Sequence, residues 1–292
     1  MSVWQAILMG LVHGITEFLP VSSSGHLIFM EQLFEITGKD RMFFDVCLHM
    51  ATLVVICLAF RDDCIRMFRE AIHMLQDSMQ NLVIWFYNRR QLEPKRYVKV
   101  VSGNYRRMMI MLLVSSIPTA IIGFLLRGLV VEASHGMLAP AIGFFLTAVV
   151  LLVAEFTPEE LTKTPRNATC SEAAIIGVFQ GLATFPGISR AGVTLSACFL
   201  CGYGRKFAVK YCFLAAIPTI LGALIYEIRY VDFASVTWQL TLSTILAMIV
   251  AAMVGFFMIR LIFKALHKKN LKFFAAYSVF AGCVLIAAHF IL

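Results

Sequence analysis

The sequence predicts an all-α integral membrane protein with six transmembrane helices and two re-entrant helix-loop-helix hairpins in an inverted repeat. Composition is the first reason, because 60% of the 292 residues are hydrophobic and only 14% are charged. Six uninterrupted apolar stretches are the second, and two apolar regions broken midway by Pro, Gly and Ser are the third. Residues 1–292 are therefore expected to form a single polytopic membrane domain.

Each uninterrupted stretch is long enough to cross the hydrocarbon core as a helix, for which about 20 apolar residues suffice. Charged residues are nearly absent from them, as expected of segments that face lipid tails. The six stretches are 43–60, 108–126, 140–156, 211–227, 239–260 and 273–292.

The two broken regions, 2–35 and 172–204, each leave flanking apolar pieces of about a dozen residues, which are too short to span. They are expected to be re-entrant hairpins. Such interrupted backbone is tolerated at membrane depth only where protein or a wet cavity satisfies its N–H and C=O groups. The break in each hairpin is therefore a candidate site.

Basic residues predict the orientation. Segment 61–107 contains ten basic residues and five acids, and segment 260–272 contains five basic residues and no acid. The positive-inside rule places both in the cytoplasm, with an interfacial amphipathic helix in the first. Both termini and the first hairpin then lie on the outer side, and the second hairpin enters from the cytoplasm. The net charge of +8 is accounted for by these loops and the anionic lipid they meet, so no nucleic-acid partner is expected.

An internal repeat supports the paired hairpins. GLVHGITEFLPVSSSG, starting at Gly10, aligns with GVFQGLATFPGISRAG, starting at Gly177, and SIPTAIIGFLL at 116 aligns with AIPTILGALIY at 216. Residues 1–130 are assigned to the first repeat and 172–230 to the core of the second. In inverted repeats of this kind, broken helices meet near the midplane and build one site between the halves.

The first hairpin motif, GITEFLPVSSSGHL at 14–27, resembles the N-terminal motif of the undecaprenyl-diphosphatase family, which is linked to bacitracin resistance. PGISRAGVT at 186–194 resembles that family's second motif, Pro-Gly-x-Ser-Arg-Ser-x-x-Thr. Two positions depart from the pattern: His13 stands where the family usually has Glu or Gln, and Ala191 stands where it has serine.

The resemblance implies an enzyme of the bacterial inner membrane that hydrolyses undecaprenyl diphosphate to undecaprenyl phosphate and inorganic phosphate. Such an enzyme recycles the lipid carrier of peptidoglycan synthesis, and the outward-opening first hairpin implies an active site on the periplasmic side. Its partners would be a polyprenyl diphosphate and the bilayer, with assembly left open between monomer and homodimer.

Arg190 is the strongest candidate for phosphate binding, since a guanidinium stays charged, matches phosphate oxygens and is costly inside a membrane without a partner. Ser23 is the nucleophile that the resemblance implies, with an activated water as the alternative. Glu17 has three candidate roles: pairing with Arg190, acting as general base, or holding a divalent cation, Mg²⁺ or Ca²⁺.

His26 is expected to act as general acid or donor to the leaving phosphate, or merely to hydrogen-bond across the hairpin. His13, one helical turn before Glu17, either binds phosphate as an imidazolium or weakens a Mg²⁺ or Ca²⁺ site by replacing an acid. His49 is expected to be a satisfied core histidine. The remaining candidates for substrate binding are small or hydroxylated residues beside the breaks: Ser22, Ser24, Gly25, Gly187, Ser189 and Thr194.

Two other functions fit the same pattern. An inverted repeat with broken helices is also a transporter architecture, so a flippase of the lipid phosphate is one alternative. It needs phosphate donors but no nucleophile or base. A catalytically silent relative that only binds lipid diphosphate is the other alternative, and the residues at positions 13 and 191 favour it.

Overall fold

The computed structural model describes residues 1–36, 39–90, 93–158, 160–265 and 270–291. Residues 91–92, within the predicted loop 61–107, and Leu292, at the end of the last predicted span, lie outside the described residues. The helices of the described residues are α1 (Val3–Thr16), α2 (Ser23–Leu33), α3 (Lys39–Ala59), α4 (Arg61–Asn88), α5 (Asn104–Ala133), α6 (Leu138–Glu155), α7 (Cys170–Leu182), α8 (Arg190–Leu200), α9 (Arg205–Glu227), α10 (Trp238–Ala265) and α11 (Leu271–Ile291). Short 3₁₀ turns, Ile228–Tyr230 and Phe233–Ser235, join α9 to α10, and none of the described residues belongs to a β-strand.

Six of these helices, α3, α5, α6, α9, α10 and α11, are long and apolar enough to cross a membrane. Each covers one of the six predicted spans except, at most, its last residue. Large apolar side chains remain exposed along them, as with Leu125 at 72%, Phe257 at 68% and Phe280 at 64%. Water would disfavour so much exposed apolar surface, whereas lipid tails match it. The chain is a multi-pass helical membrane protein.

Both broken regions fold as helical hairpins. In the first, α1 and α2 are separated by residues 17–22; in the second, α7 and α8 are separated by residues 183–189. The helix-break-helix pattern predicted for 2–35 and 172–204 is thus confirmed. Their re-entrant placement in the bilayer and the repeat boundaries at 1–130 and 172–230 stay predictions.

Each hairpin begins with a capping box. The Ser2 hydroxyl accepts from the backbone N–H of Gln5, and the Gln5 side chain accepts from the backbone N–H of Ser2. Thr169 and Glu172 make the same reciprocal pair at the start of α7. These pairs satisfy amide groups that the first turn of a helix otherwise leaves without partners.

Small residues bring the hairpins close to spanning helices. Gly10 and Gly14 of α1 face the backbone of Ala247 and Ala251 of α10, so tightly that a Cβ at either glycine would collide with it. Gly177 of α7 lies equally close to the backbone of α5. Spacings of four between small residues allow such close helix contact in membrane proteins. The packing of α1 on α10 fixes the rotation of α1 and with it the direction in which His13 faces.

The amphipathic helix predicted within 61–107 is α4, a 28-residue helix with many exposed apolar residues. Ion pairs attach it to the spanning helices. Arg106 of α5 donates to Glu70 at 2.6 Å and also to Asp77, and Lys210 of α9 lies 2.9 Å from Asp63. The structure therefore holds α4 against the bundle at one end of α5 and α9.

Candidate active site

The first break turns sharply at Ser22. Its φ of 62° and ψ of 101° lie in a region that L-residues with a side chain rarely adopt. The Ser22 hydroxyl accepts from the backbone N–H of Gly25 at 3.3 Å and so caps α2. This conformation makes Ser23 the first residue of α2, at the positive end of the helix dipole.

Ser23, Glu17 and Arg190 form the centre of the site. The Ser23 hydroxyl donates to Glu17 Oε2, and Arg190 Nη2 donates to Glu17 Oε1 at 3.0 Å. The Glu17 side chain is 7% exposed and that of Arg190 is 22% exposed. A buried carboxylate without a cation would be costly, so the ion pair explains how Glu17 is tolerated here. Pairing with Arg190, one of the three candidate roles of Glu17, is present.

The second break, residues 183–189, forms the other side of the site. Gly187 has φ of 84°, and a Cβ there would collide with the backbone of Pro140, so only glycine fits without strain. Ser189 caps α8 by accepting from the backbone N–H of Gly192 at 3.0 Å. The Gly187 N–H lies 3.4 Å from Ser24 Oγ. The two breaks, distant in sequence, therefore meet tip to tip.

His26 is held in one orientation. Its Nδ1–H donates to the Ser22 carbonyl at 2.6 Å, and its Nε2 lies 2.8 Å from the Tyr277 hydroxyl. The Tyr277 ring stacks on the imidazole, while the Phe144 ring packs against it edge-on. Nε2 is thus the nitrogen that exchanges a proton with its surroundings, since Nδ1 is engaged with a carbonyl.

Two further histidines surround Glu17. His13 is fully buried, and neither ring nitrogen has a hydrogen-bond partner among the described residues. Its ring centroid lies 5.0 Å from that of His49. His49, expected to be a satisfied core histidine, bonds the Asp45 carbonyl through Nδ1 at 2.9 Å, but it also borders the site. One ligand atom from each of His13, Glu17 and His49 lies within 4.8 Å of the others.

Some of the candidates for substrate binding are buried or already make contacts with other residues. The Gly25 N–H is used by the Ser22 cap, and a Cβ at Gly25 would collide with the Phe144 ring. Thr194 is buried in α8, and its hydroxyl makes no hydrogen bond to the described residues. Ser22 and Ser24 contact each other through their hydroxyls at 3.2 Å.

A small apolar cavity lies behind the tips of the hairpins. Ala191, where the resembled family has serine, lines it, and the Ala191 carbonyl accepts a weak hydrogen bond from Cys212 Sγ at 3.5 Å. Other residues lining the cavity include Phe18, Pro20, Leu195, Phe213 and Ile262. The departure at position 191 therefore adds a methyl group to an apolar surface.

Sequence reasoning missed two residues of the site. Tyr277 of α11 lies 251 positions from its partner His26, and no motif surrounds it. Thr147 of α6 accepts from the Ser189 N–H at 2.9 Å, and its hydroxyl is 3.2 Å from the Gly187 carbonyl. A single threonine within an apolar span was the only signal available for this contact.

The fold and the site together define a class: a multi-pass helical membrane protein whose two broken hairpins bring a serine, a carboxylate and a guanidinium together. Residues 6–284 match the family described as Bacitracin resistance protein BacA, and the chain belongs to that family.

Several relatives are similar in sequence to this chain over nearly its whole length. The chain is 32% identical over 287 residues to a protein of Alkaliphilus metalliredigens, covering 98% of both chains, and that protein is named Undecaprenyl-diphosphatase. A protein of Treponema denticola with the same name is 34% identical over 284 residues, covering 97% of this chain and 96% of its own. A third, from Methanosphaera stadtmanae, is 32% identical over 288 residues and covers 98% of both.

Proposed function

We propose that this protein hydrolyses undecaprenyl diphosphate to undecaprenyl phosphate and inorganic phosphate and so recycles the lipid carrier of cell-wall synthesis. The relatives named Undecaprenyl-diphosphatase and the family membership support this activity. The structural observation that carries it is the chain of contacts from the Ser23 hydroxyl to Glu17 and from Glu17 to Arg190. The transporter and the silent relative receive no support from these names.

The diphosphate binds between the two tips. Arg190 offers a forked, permanently charged donor, and the start of α2 and the start of α8 each present the positive end of a helix dipole. Ser24 lies between the two tips and can add a hydroxyl donor, whereas Ser22 and Ser189 hold the starts of α2 and α8 in place as caps. The exposed apolar faces of the spanning helices accommodate the polyprenyl chain.

Ser23 Oγ attacks the terminal phosphorus while Glu17 accepts its proton. The bond between that phosphorus and the bridging oxygen breaks, His26 gives a proton to the leaving undecaprenyl phosphate, and Ser23 carries the phosphoryl group. Water then attacks the phosphoserine and gives a proton to His26, which the first step left neutral. The bond from Ser23 Oγ to phosphorus breaks, Glu17 returns its proton to Ser23 Oγ, and inorganic phosphate leaves. Arg190, drawn from Glu17 onto the phosphate, stabilises the charge that develops at phosphorus.

A divalent cation at Glu17 would neutralise part of the diphosphate charge. The donors around Glu17 fit a cation, because the buried imidazole of His13, which has no hydrogen-bond partner in the part of the chain that the structure describes, stands beside the carboxylate. Mg²⁺ and Ca²⁺ prefer oxygen ligands, whereas His13 and His49 offer nitrogen. The residues therefore fit a divalent cation that accepts nitrogen ligands better than they fit Mg²⁺ or Ca²⁺.

The site faces the outer side of the plasma membrane. The basic segments 61–107 and 260–272 support a cytoplasmic position for the opposite side of the molecule. A site on the outer face meets the diphosphate where cell-wall synthesis releases it.

The test is inorganic phosphate release from undecaprenyl diphosphate by purified protein in detergent, with and without EDTA. We expect release by wild type and its loss in Arg190→Ala, with Arg127→Ala as the matched control because Arg127 is exposed at the far end of α5. Absence of release by a folded wild type that binds the lipid diphosphate would overturn the proposal.

A further inference from the structure

Three side chains that can bind a metal ion lie together: His13, which is buried, and Glu17 and His49, which are partly exposed. His13 is fully buried, and its two ring nitrogens have no hydrogen-bond partner among the described residues. An imidazole deprived of both water and protein partners is costly, and buried polar groups are rarely left in that state. His13 therefore points to a ligand that satisfies it.

The geometry brings three ligand atoms together. His13 lies one helical turn before Glu17 on α1, and His49 approaches from α3 with its ring centroid 5.0 Å from that of His13. Their ligand atoms all lie within 4.8 Å of one another. Two atoms bound to one ion at about 2.1 Å are at most about 4.2 Å apart, so small side-chain rotations close the site.

The hydrogen bond of His49 prepares it as a ligand. Its Nδ1 lies 2.9 Å from the Asp45 carbonyl, which can only accept, so Nδ1 carries the proton. Nε2 of the neutral ring then has the free lone pair. A ligating histidine in metalloproteins usually donates its other ring N–H to a carbonyl or carboxylate, and His49 already does so.

We propose that His13, Glu17 and His49 bind a divalent transition-metal ion such as Zn²⁺ or Mn²⁺. Two imidazole nitrogens and one carboxylate suit these ions, whereas Mg²⁺ and Ca²⁺ take oxygen ligands. Three protein ligands leave further coordination positions open. Glu17, one of the three, also accepts from the Ser23 hydroxyl. The inference deepens the proposed function, since it names the class of cation at the same site.

The experiment measures metal binding directly. Purified protein is stripped with a chelator, freed of the chelator, and dialysed to equilibrium against Zn²⁺, Mn²⁺, Mg²⁺ or Ca²⁺, and bound metal is counted by mass spectrometry. We expect one tightly bound Zn²⁺ or Mn²⁺ per chain in the wild type and weaker Mg²⁺ and Ca²⁺. Co²⁺, added as a spectroscopic probe, should give visible absorption bands characteristic of nitrogen ligation.

Variants identify the ligands. His13→Ala and His49→Ala should each weaken Zn²⁺ binding by more than the about 10- to 100-fold that loss of an outer-shell partner costs. His289→Ala is the matched control, since His289 is exposed at the end of α11. His49→Gln, which keeps a polar side chain of similar size, separates loss of the ligand from loss of the fold. His13→Glu should shift preference towards Mg²⁺ and Ca²⁺.

Two results would overturn the assignment: wild type that binds no more Zn²⁺ or Mn²⁺ than folded His49→Gln, or Mg²⁺ and Ca²⁺ bound as tightly as Zn²⁺. Phosphate release is measured on the same preparations. Active protein without the transition-metal site would refute only the metal inference, whereas metal-loaded protein without phosphate release would refute only the proposed activity.

Discussion

The two helical hairpins share a frame and differ in their chemistry. Each begins with a capping box, and each second helix is capped by a serine hydroxyl that accepts from the N–H of a glycine three residues later, Ser22 from Gly25 and Ser189 from Gly192. The residue after the cap differs. It is Ser23 in the first hairpin and Arg190 in the second.

Backbone strain is also distributed differently. The first hairpin places a positive φ on the capping residue Ser22 itself, whereas Ser189 has an ordinary φ of −73° and the positive φ falls on Gly187 two residues earlier. Non-glycine residues held with positive φ are costly and concentrate at functional sites. In the proposed reaction the two hairpins therefore contribute different groups: Ser23 and Glu17 come from the first hairpin, and the guanidinium of Arg190 comes from the second.

The largest expected effect follows from removing the nucleophile. Ser23→Ala should reduce kcat for phosphate release by about 10³-fold or more, since loss of a nucleophile has cost up to about 10⁶-fold in other hydrolases. Ser24→Ala, one position away, should cost only about 10-fold because it removes one hydrogen bond. Phosphate release by Ser23→Ala within about 10-fold of wild type would instead assign the attack to an activated water.

The next largest effect is expected at Arg190, which follows the capping serine of the second hairpin as Ser23 does in the first. Arg190→Lys keeps the charge but loses the forked donor, and we expect phosphate release to fall by about 10²-fold, in the range seen when one transition-state donor is removed. Arg127→Lys, on the exposed surface of α5, is the control. Unchanged kinetics in Arg190→Lys would mean that Arg190 serves the Glu17 ion pair and not the phosphate.

Tyr277 has no counterpart contact in the second hairpin, where Val193 occupies the position equivalent to His26. Tyr277→Phe removes the hydroxyl that positions His26 Nε2, and we expect kcat to fall by up to about 10-fold with KM nearly unchanged. Tyr226→Phe, which removes a hydroxyl that contacts Arg127 and Tyr230 and not His26, should have no such effect. A change confined to KM would place Tyr277 in substrate binding.

Thr147 supports only the second hairpin. Thr147→Val keeps the shape of the side chain but leaves the buried N–H of Ser189 without its acceptor, which should cost about 1–3 kcal/mol of stability. Thermal unfolding in detergent measures the loss, with Thr241→Val as the control because the Thr241 hydroxyl bonds the preceding turn of its own helix. Equal midpoints for the two variants would contradict this support.

The smallest expected effect is a difference in pH dependence between the capping boxes at the starts of α1 and α7. Burial raises the pKa of Glu172, but hydrogen bonds from Lys163 and the Thr169 N–H lower it by more than burial raises it. The pKa of Glu172 therefore lies below its usual 4.5. A lowered pKa in the fold stabilises α7 above about pH 4.5, and this contribution is lost as pH falls. Gln5 does not titrate, so the start of α1 should not respond.

Hydrogen exchange of the first turns of α1 and α7, corrected for intrinsic rates, measures this difference between pH 6 and pH 4. Exchange should quicken at the start of α7 alone. Glu172→Gln, which removes the titrating group, should abolish the pH dependence. Equal quickening at both helix starts would show that acid loosens the whole bundle instead.

Much of the fold was predictable because it depends on local sequence. An apolar run of about 20 residues can bury its backbone in lipid only as a helix, and all six predicted spans are helices of the structure. Pro, Gly and Ser clusters placed both breaks. Pairing with Arg190, one of the three roles left open for Glu17, is present.

The remaining parts of the site depend on which helix faces meet. His49 borders Glu17, Tyr277 reaches His26 and Thr147 supports Ser189 only because close packing sets the rotation and depth of each helix. Periodicity shows that a helix forms, but lipid and protein both accept apolar faces, so it does not show which face contacts protein. The sequence by itself determined the helices, the breaks and the residues available for chemistry, and the tertiary structure decided which of those residues act together.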